Sequence, residues 1–149
     1  MAKNKIEFDE EFEDFQLIGI ATGAKDYRLL YLLNTALNAD FERIQNHIYY
    51  NKKTKTEIKF PLYEWSNEYK SLQLLLFGNK NIIEENQFNY TGIDLLCPEL
   101  ELFQFILKIE GTFNPQILLD KMKENKELDY IKVLEISKVK SIQNLIKLT

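Results

Sequence analysis

At 149 residues, with 45% hydrophobic and 28% charged side chains, the chain has the composition of one folded globular domain rather than a disordered segment. A net charge of -4 leaves no concentrated basic stripe to neutralise a phosphate backbone, so nucleic acid is excluded from the expected partners. No stretch reaches the roughly 18 apolar residues a membrane span needs, the start has no signal-like apolar core, and the lone Cys97 cannot close an internal disulfide; no membrane partner and a cytoplasmic location are expected.

Residues 1–14 form an acidic arm in which Glu7, Asp9, Glu10, Glu11, Glu13 and Asp14 surround Phe8 and Phe12. Such a run serves as a solvated arm, as an edge protected by charge, or as an anchor for a basic partner. The remainder, 15–149, reads as a single α+β domain. Its first element, 15–22, is a short apolar run with β-branched members and is expected to be a buried strand. Thr22 or Gly23 then caps a helix over 24–38, with Asp26 placed against the positive end of its dipole. Leu29, Leu30, Leu33, Ala36 and Leu37 recur at helical spacing as the inward stripe, with Leu32 at its edge and Tyr27, Arg28 and Tyr31 on the other side.

Extended segments follow at 41–50 and 56–65, joined by a polar turn into a hairpin, and at 69–77. Pro61 marks the second as an edge or bulged strand. The polar stretch 78–96 is expected to be a long loop. A strand over 101–110 places Phe103, Phe105, Leu107 and Ile109 on one face, and Gly111 ends it. Asn114 and Pro115 are a helix start, an N-cap followed by proline at the first helical position. Ile117, Leu118, Lys121 and Met122 are expected along that helix's buried side. A last strand over 130–136 and a short helix over 137–147, with Val139, Ile142 and Ile146 inward, complete the chain. Hairpins mixed with two crossover helices predict an α+β fold: a two-layer sandwich of a largely antiparallel sheet with helices on one face, an elaborated ferredoxin-like arrangement.

The strand-turn-helix at 15–38 is where many proteins hold a phosphate. Phosphate cradles need several glycines and a lysine at fixed spacing, whereas the turn offers Gly23 and Lys25 alone. Asp26 adds a negative charge there, and a capped helix start accounts for these residues without a ligand. The free N–H groups of a helix start still attract anions, which makes Thr22, Gly23, Lys25 and Arg28 the candidate ligand-binding residues for a small anion. Tyr27, Arg28 and Tyr31 are the candidate interface, since Tyr and Arg are enriched at contact hot spots; in the alternative, the tyrosines pack under the acidic arm or the long loop.

His47, the only histidine, falls on the more polar side of its strand and is expected to be exposed and non-catalytic. Cys97 has Glu99 nearby, the wrong sign to stabilise a thiolate, and is expected to be a small buried residue. Catalytic residues, metal ligands and cofactors are therefore expected to be none.

The stretch LIGIATGAKDYRLLYLLNTALNADFERI, 17–44, resembles the N-terminal signature of the IPExxxVDY family of Bacteroidetes proteins, and FPLYEW, 60–65, is similar to that family's Phe-Pro-x-Tyr strand. The motif that names the family maps onto CPELELFQF, 97–105. Pro98 and Glu99 match its letters, while Cys97 stands for Ile and Phe103, Gln104 and Phe105 stand for Val, Asp and Tyr. The resemblance implies no activity, cofactor or catalytic residue; the genes of such proteins tend to lie near those for lipid synthesis, ribonuclease III and pyruvate kinase, which implies a housekeeping or regulatory partner. Two functional readings follow. One is a non-enzymatic interaction module that binds a protein partner or itself, as a homodimer, through aromatic surface. The other is a small-ligand or anion-binding protein, or an enzyme, with its site at 22–28.

Overall fold

A computed structural model describes residues 15–51, 55–82 and 94–145. The acidic arm, most of the 78–96 loop and positions 146–147 at the end of the expected last helix lie outside the described residues.

The elements are β1 (Phe15–Thr22), α1 (Asp26–Leu37), β2 (Glu42–Arg43), β3 (His47–Asn51), β4 (Thr56–Phe60), β5 (Leu62–Asn67), β6 (Leu72–Gly78), β7 (Phe105–Glu110), α2 (Pro115–Met122) and β8 (Leu128–Leu134). Six strands form one sheet in the order β2-β5-β6-β7-β1-β8, every neighbouring pair antiparallel; β3 and β4 form a separate hairpin. The subset β8-β1-β7-β6 with α1 and α2 has the connectivity of the split βαβ unit, so the expected α+β sandwich of ferredoxin type is present. The segment between α1 and β6 is its elaboration: it adds β5 and β2 to one side of the sheet and supplies the hairpin.

Side-chain alternation sends each strand's residues to two cores. Ile18, Ile20, Leu74, Leu76, Leu107 and Ile109 face the helices, where they meet Leu29 and Leu33 of α1 and Leu118 and Met122 of α2. Leu17, Leu75, Phe77 and Ile106 face the other way, under Ile58 and Phe60 of the hairpin and Val139, Ile142 and Leu145 near the C-terminus. Burial on both faces explains why β6 reads as a nearly continuous apolar run instead of an alternating one. Lys108 also lies on the second face, only 5% exposed; its Nζ pairs with Glu110 Oε1 at 2.9 Å and sits 4.7 Å from the centre of the Phe15 ring.

Local chemistry sets the element ends. Asn38 ends α1 in the left-handed conformation at φ 50, which asparagine tolerates better than most residues. Asn114 Oδ1 accepts the Gln116 N–H at 3.0 Å and Pro115 opens α2, as the sequence predicts. Pro61, with no N–H for a ladder, separates β4 from β5 where the chain passes from the hairpin into the main sheet. Its carbonyl accepts the Gly78 N–H at 2.9 Å, and a Cβ at Gly78 would lie 2.5 Å from the proline ring.

Several expectations are corrected. The segment 41–50 is two strands in different sheets, because 44–46 carries the chain from β2 beside β5 to β3 beside β4. His47 is buried, not exposed: the hairpin lays its His47 and Phe60 face onto the main sheet, and the imidazole stands edge-on to Phe77 at 5.1 Å. The strand over 101–110 begins only at Phe105, because a 3-10 turn at Pro98–Leu100 keeps Phe103 out of the ladder and turns it onto the second face. On α2 the buried residues are Leu118, Leu119 and Met122, leaving Ile117 and Lys121 exposed. Leu32 of α1 is buried rather than marginal. In place of a terminal helix there are two 3-10 turns, Ile136–Lys138 and Ile142–Leu145.

Candidate functional site

The turn after β1 is held from three sides. Thr22, 3% exposed, donates its hydroxyl to the Glu127 carbonyl at 2.7 Å and accepts the Ala24 N–H at 3.0 Å. Its own N–H goes to Gln104 Oε1 at 2.7 Å. Thr22 thus fixes the turn; the residue at the N-cap of α1 is Lys25, which makes no side-chain cap. Asp26 Oδ1 accepts the Tyr27 N–H at 2.8 Å, and its Oδ2 accepts the phenol of Tyr63 from β5. Burial, with this bond to Asp26 adding to it, pushes the Tyr63 hydroxyl up to about 12, so it stays a neutral donor.

Around the turn lies an open cleft of about 460 Å³, lined by residues 22–26 together with Pro61, Gly78, Gln104 and Phe105. Lys25 and Lys80 line it, both exposed and neither in an ion pair among the described residues. The structure therefore brings together Thr22, Gly23 and Lys25, and adds Lys80 and Gln104. Lys80 escapes sequence reading because only the β6–β7 pairing carries the end of β6 to the top of β1.

Arg28 stands apart from the cleft. Its Nε and Nη2 grip the carboxylate of Glu127 at 2.8 and 2.7 Å, and its guanidinium lies 5.2 Å from the centre of the Tyr31 ring. The hydrogen bonds and charge of Glu127 raise the Arg28 pKa, and the same bonds hold the Glu127 carboxyl below its ordinary value. Tyr27 and Tyr31, one turn apart, are 68% and 59% exposed. Arg28 is thus joined to the aromatic face of α1.

The remaining titratable candidates serve the second face. The His47 Nε2 lies 2.5 Å from the Asn144 carbonyl, and burial first, then the charge of Lys108, lower its pKa against the opposing effect of that bond. Cys97 is fully buried; burial, reinforced by Glu99, pushes its thiol up to about 12, far from a reactive thiolate. Glu99 accepts from Ser141. Lys25, Arg28, His47 and Glu99 do not converge in one cleft.

Sequence reading also misses Asn79, which is fully buried and organises the segment that carries Cys97 and Glu99. Its Oδ1 accepts the Cys97 N–H at 2.8 Å, and its Nδ2 donates to the carbonyls of Leu100 and Phe103 at 3.0 Å each. Among the described residues no group of three or more His, Cys, Asp or Glu is placed to hold a metal ion, and no helix is long and apolar enough to cross a membrane. No family model matches the chain, and no curated protein matches it.

Proposed function

We propose that this chain is a cytoplasmic, non-enzymatic interaction module that associates with itself through aromatic surface, α1 supplying one contact patch. The observation that carries this reading is the exposed pair Tyr27 and Tyr31 with Arg28 between them, its guanidinium held over Tyr31 by Glu127. A fixed arginine beside exposed tyrosines loses little side-chain freedom on docking, which is the composition and rigidity found at contact hot spots. The scattered, structurally occupied positions of His47, Cys97 and Glu99 agree with it. The residues at 97–105 that resemble the IPExxxVDY motif act here as connectors, and membership of that family is part of the proposal. Size-exclusion chromatography with light scattering tests the reading: the wild type forms an assembly, and Tyr31→Glu lowers its mass. A wild type that is monomeric throughout overturns it.

The cleft supports a second reading, a site for a small anion between Lys25 and Lys80. Thermal shift with inorganic phosphate, nucleotides and phosphorylated metabolites tests it; stabilisation lost in Lys25→Ala and Lys80→Ala supports the site, and no shift removes it.

A further inference from the structure

Three strand edges are open among the described residues, and they differ in how they are protected. The edge of β2 is two residues long, and both residues, Glu42 and Arg43, are charged and exposed. The edge of β8 carries exposed Asp129 and Lys132, and its register against β1 shifts at Ala21/Thr22. Short length, charge and bulges are how natural sheets keep their edges from pairing with another chain. The hairpin's outer strand, β3, has none of these. Its sequence, HIYYN, carries no formal charge and no proline, and is rich in the β-branched and aromatic residues that favour strands. Its pairing with β4 is regular over all five residues, from His47 opposite Phe60 to Asn51 opposite Thr56. Ile48, Tyr49 and Tyr50 are 49%, 40% and 53% exposed. The far side of β4 is engaged, with Ile82 donating its N–H to the Lys59 carbonyl at 2.8 Å, so β3 is the hairpin's open edge.

We propose that the chain pairs with a second copy of itself along β3, the two strands running antiparallel about a two-fold axis at Tyr49. This rests on the self-association reading but needs nothing from α1. A strand that joins an antiparallel neighbour about a two-fold axis normal to the sheet keeps its faces, so residues that face out on one copy meet residues that face out on the other. One such register pairs all five residues: His47 with the partner's Asn51, Ile48 with the partner's Tyr50, and Tyr49 with the partner's Tyr49. Each outward row then places a β-branched side chain against an aromatic one, a favourable cross-strand pair. The hairpin extends the row on both sides, because Lys59 lies opposite Ile48 and Glu57 opposite Tyr50. The row reads Lys59, Ile48, the partner's Tyr50, the partner's Glu57, with opposite charges at its ends. No like charges meet across the axis, so the edge is complementary to itself.

The test uses the full chain carrying Tyr31→Glu, which takes the α1 patch out of play. In light scattering this protein is a dimer, and adding Ile48→Lys and Tyr50→Lys makes it a monomer with an unchanged circular dichroism spectrum, because each lysine then faces a lysine of the other copy. A dimer that survives the added lysines overturns the proposal. A Tyr31→Glu protein that is already monomeric, beside a wild type that associates, overturns it while leaving the self-association reading intact; a monomeric wild type removes both. Independently of those substitutions, Tyr49→Cys forms a covalent dimer on mild oxidation, since the axis brings the two thiols together, and its failure to do so in a dimeric protein overturns the register.

Discussion

Glu99 holds Ser141 with both carboxylate oxygens: Oε1 accepts the backbone N–H at 2.5 Å and Oε2 accepts the hydroxyl at 2.9 Å. The residues are 42 positions apart, and the pair fastens the C-terminal turns to the segment leading into β7. Burial alone would raise the Glu99 pKa; the bonds from Ser141 and the charge of Lys140 outweigh it and hold the carboxyl below 4.5. Because the folded value is depressed, the stabilisation is present above pH 4.5 and is lost as pH falls through the folded value. Urea titration of Glu99→Gln at pH 7 should show a loss of about 1 kcal/mol, small because the pair is exposed. The gap to wild type should narrow at acid pH.

His47 titrates in a different window. Burial and Lys108 lower its pKa in the folded protein, so the unfolded chain binds a proton first. Stability is therefore full above pH 6.5 and declines as pH falls from there toward the folded value. Thermal melts between pH 7.5 and 5.5 should show a falling midpoint for wild type. His47→Gln, which has nothing to titrate in this range, should have a lower midpoint that stays level across it.

Asn79→Ala should be among the most damaging single changes. It strips a buried partner from the Cys97 N–H and from the carbonyls of Leu100 and Phe103 together. At about 1–3 kcal/mol for each buried group left unpaired, the expected loss is about 3 kcal/mol or more, read from the denaturant midpoint at constant m. A loss below about 1 kcal/mol would mean that the 96–104 segment does not depend on this side chain.

Gly19 sits beneath Phe103. A Cβ there would lie 2.7 Å from the ring, so Gly19→Ala should cost about 1–3 kcal/mol through overpacking. Phe103→Leu, by giving the methyl room, should recover part of that loss in the double variant. Additive losses would show that the ring and the glycine are not coupled.

What the sequence makes legible is what local pattern encodes. The bounds of β1 and the N-cap at Asn114 follow from apolar runs and capping chemistry that need no distant partner. The identity of the buried face fails where a second layer intervenes: His47 looks polar and exposed until the hairpin folds over Phe77. Phe103 fails for a related reason. Its spacing fits a strand, but Asn79 and the 3-10 turn bend the backbone before the ladder starts. At the cleft, the turn residues Thr22, Gly23 and Lys25 are legible from their motif. Lys80 and Gln104 are not, because strand order, not spacing, delivers them.

The hairpin has a further effect on what can touch this protein. Four-stranded sheets that read RNA stack bases on a bare β-surface. Here that surface is roofed by Ile58, Phe60, Val139, Ile142 and Leu145. A visitor would have to unroof the domain, exposing both Phe77 and the charged Lys108 to water, before it met β6, β7 or β1. The heart of the sheet is thereby closed on this side, and what the domain presents to its surroundings here is its roof and gables.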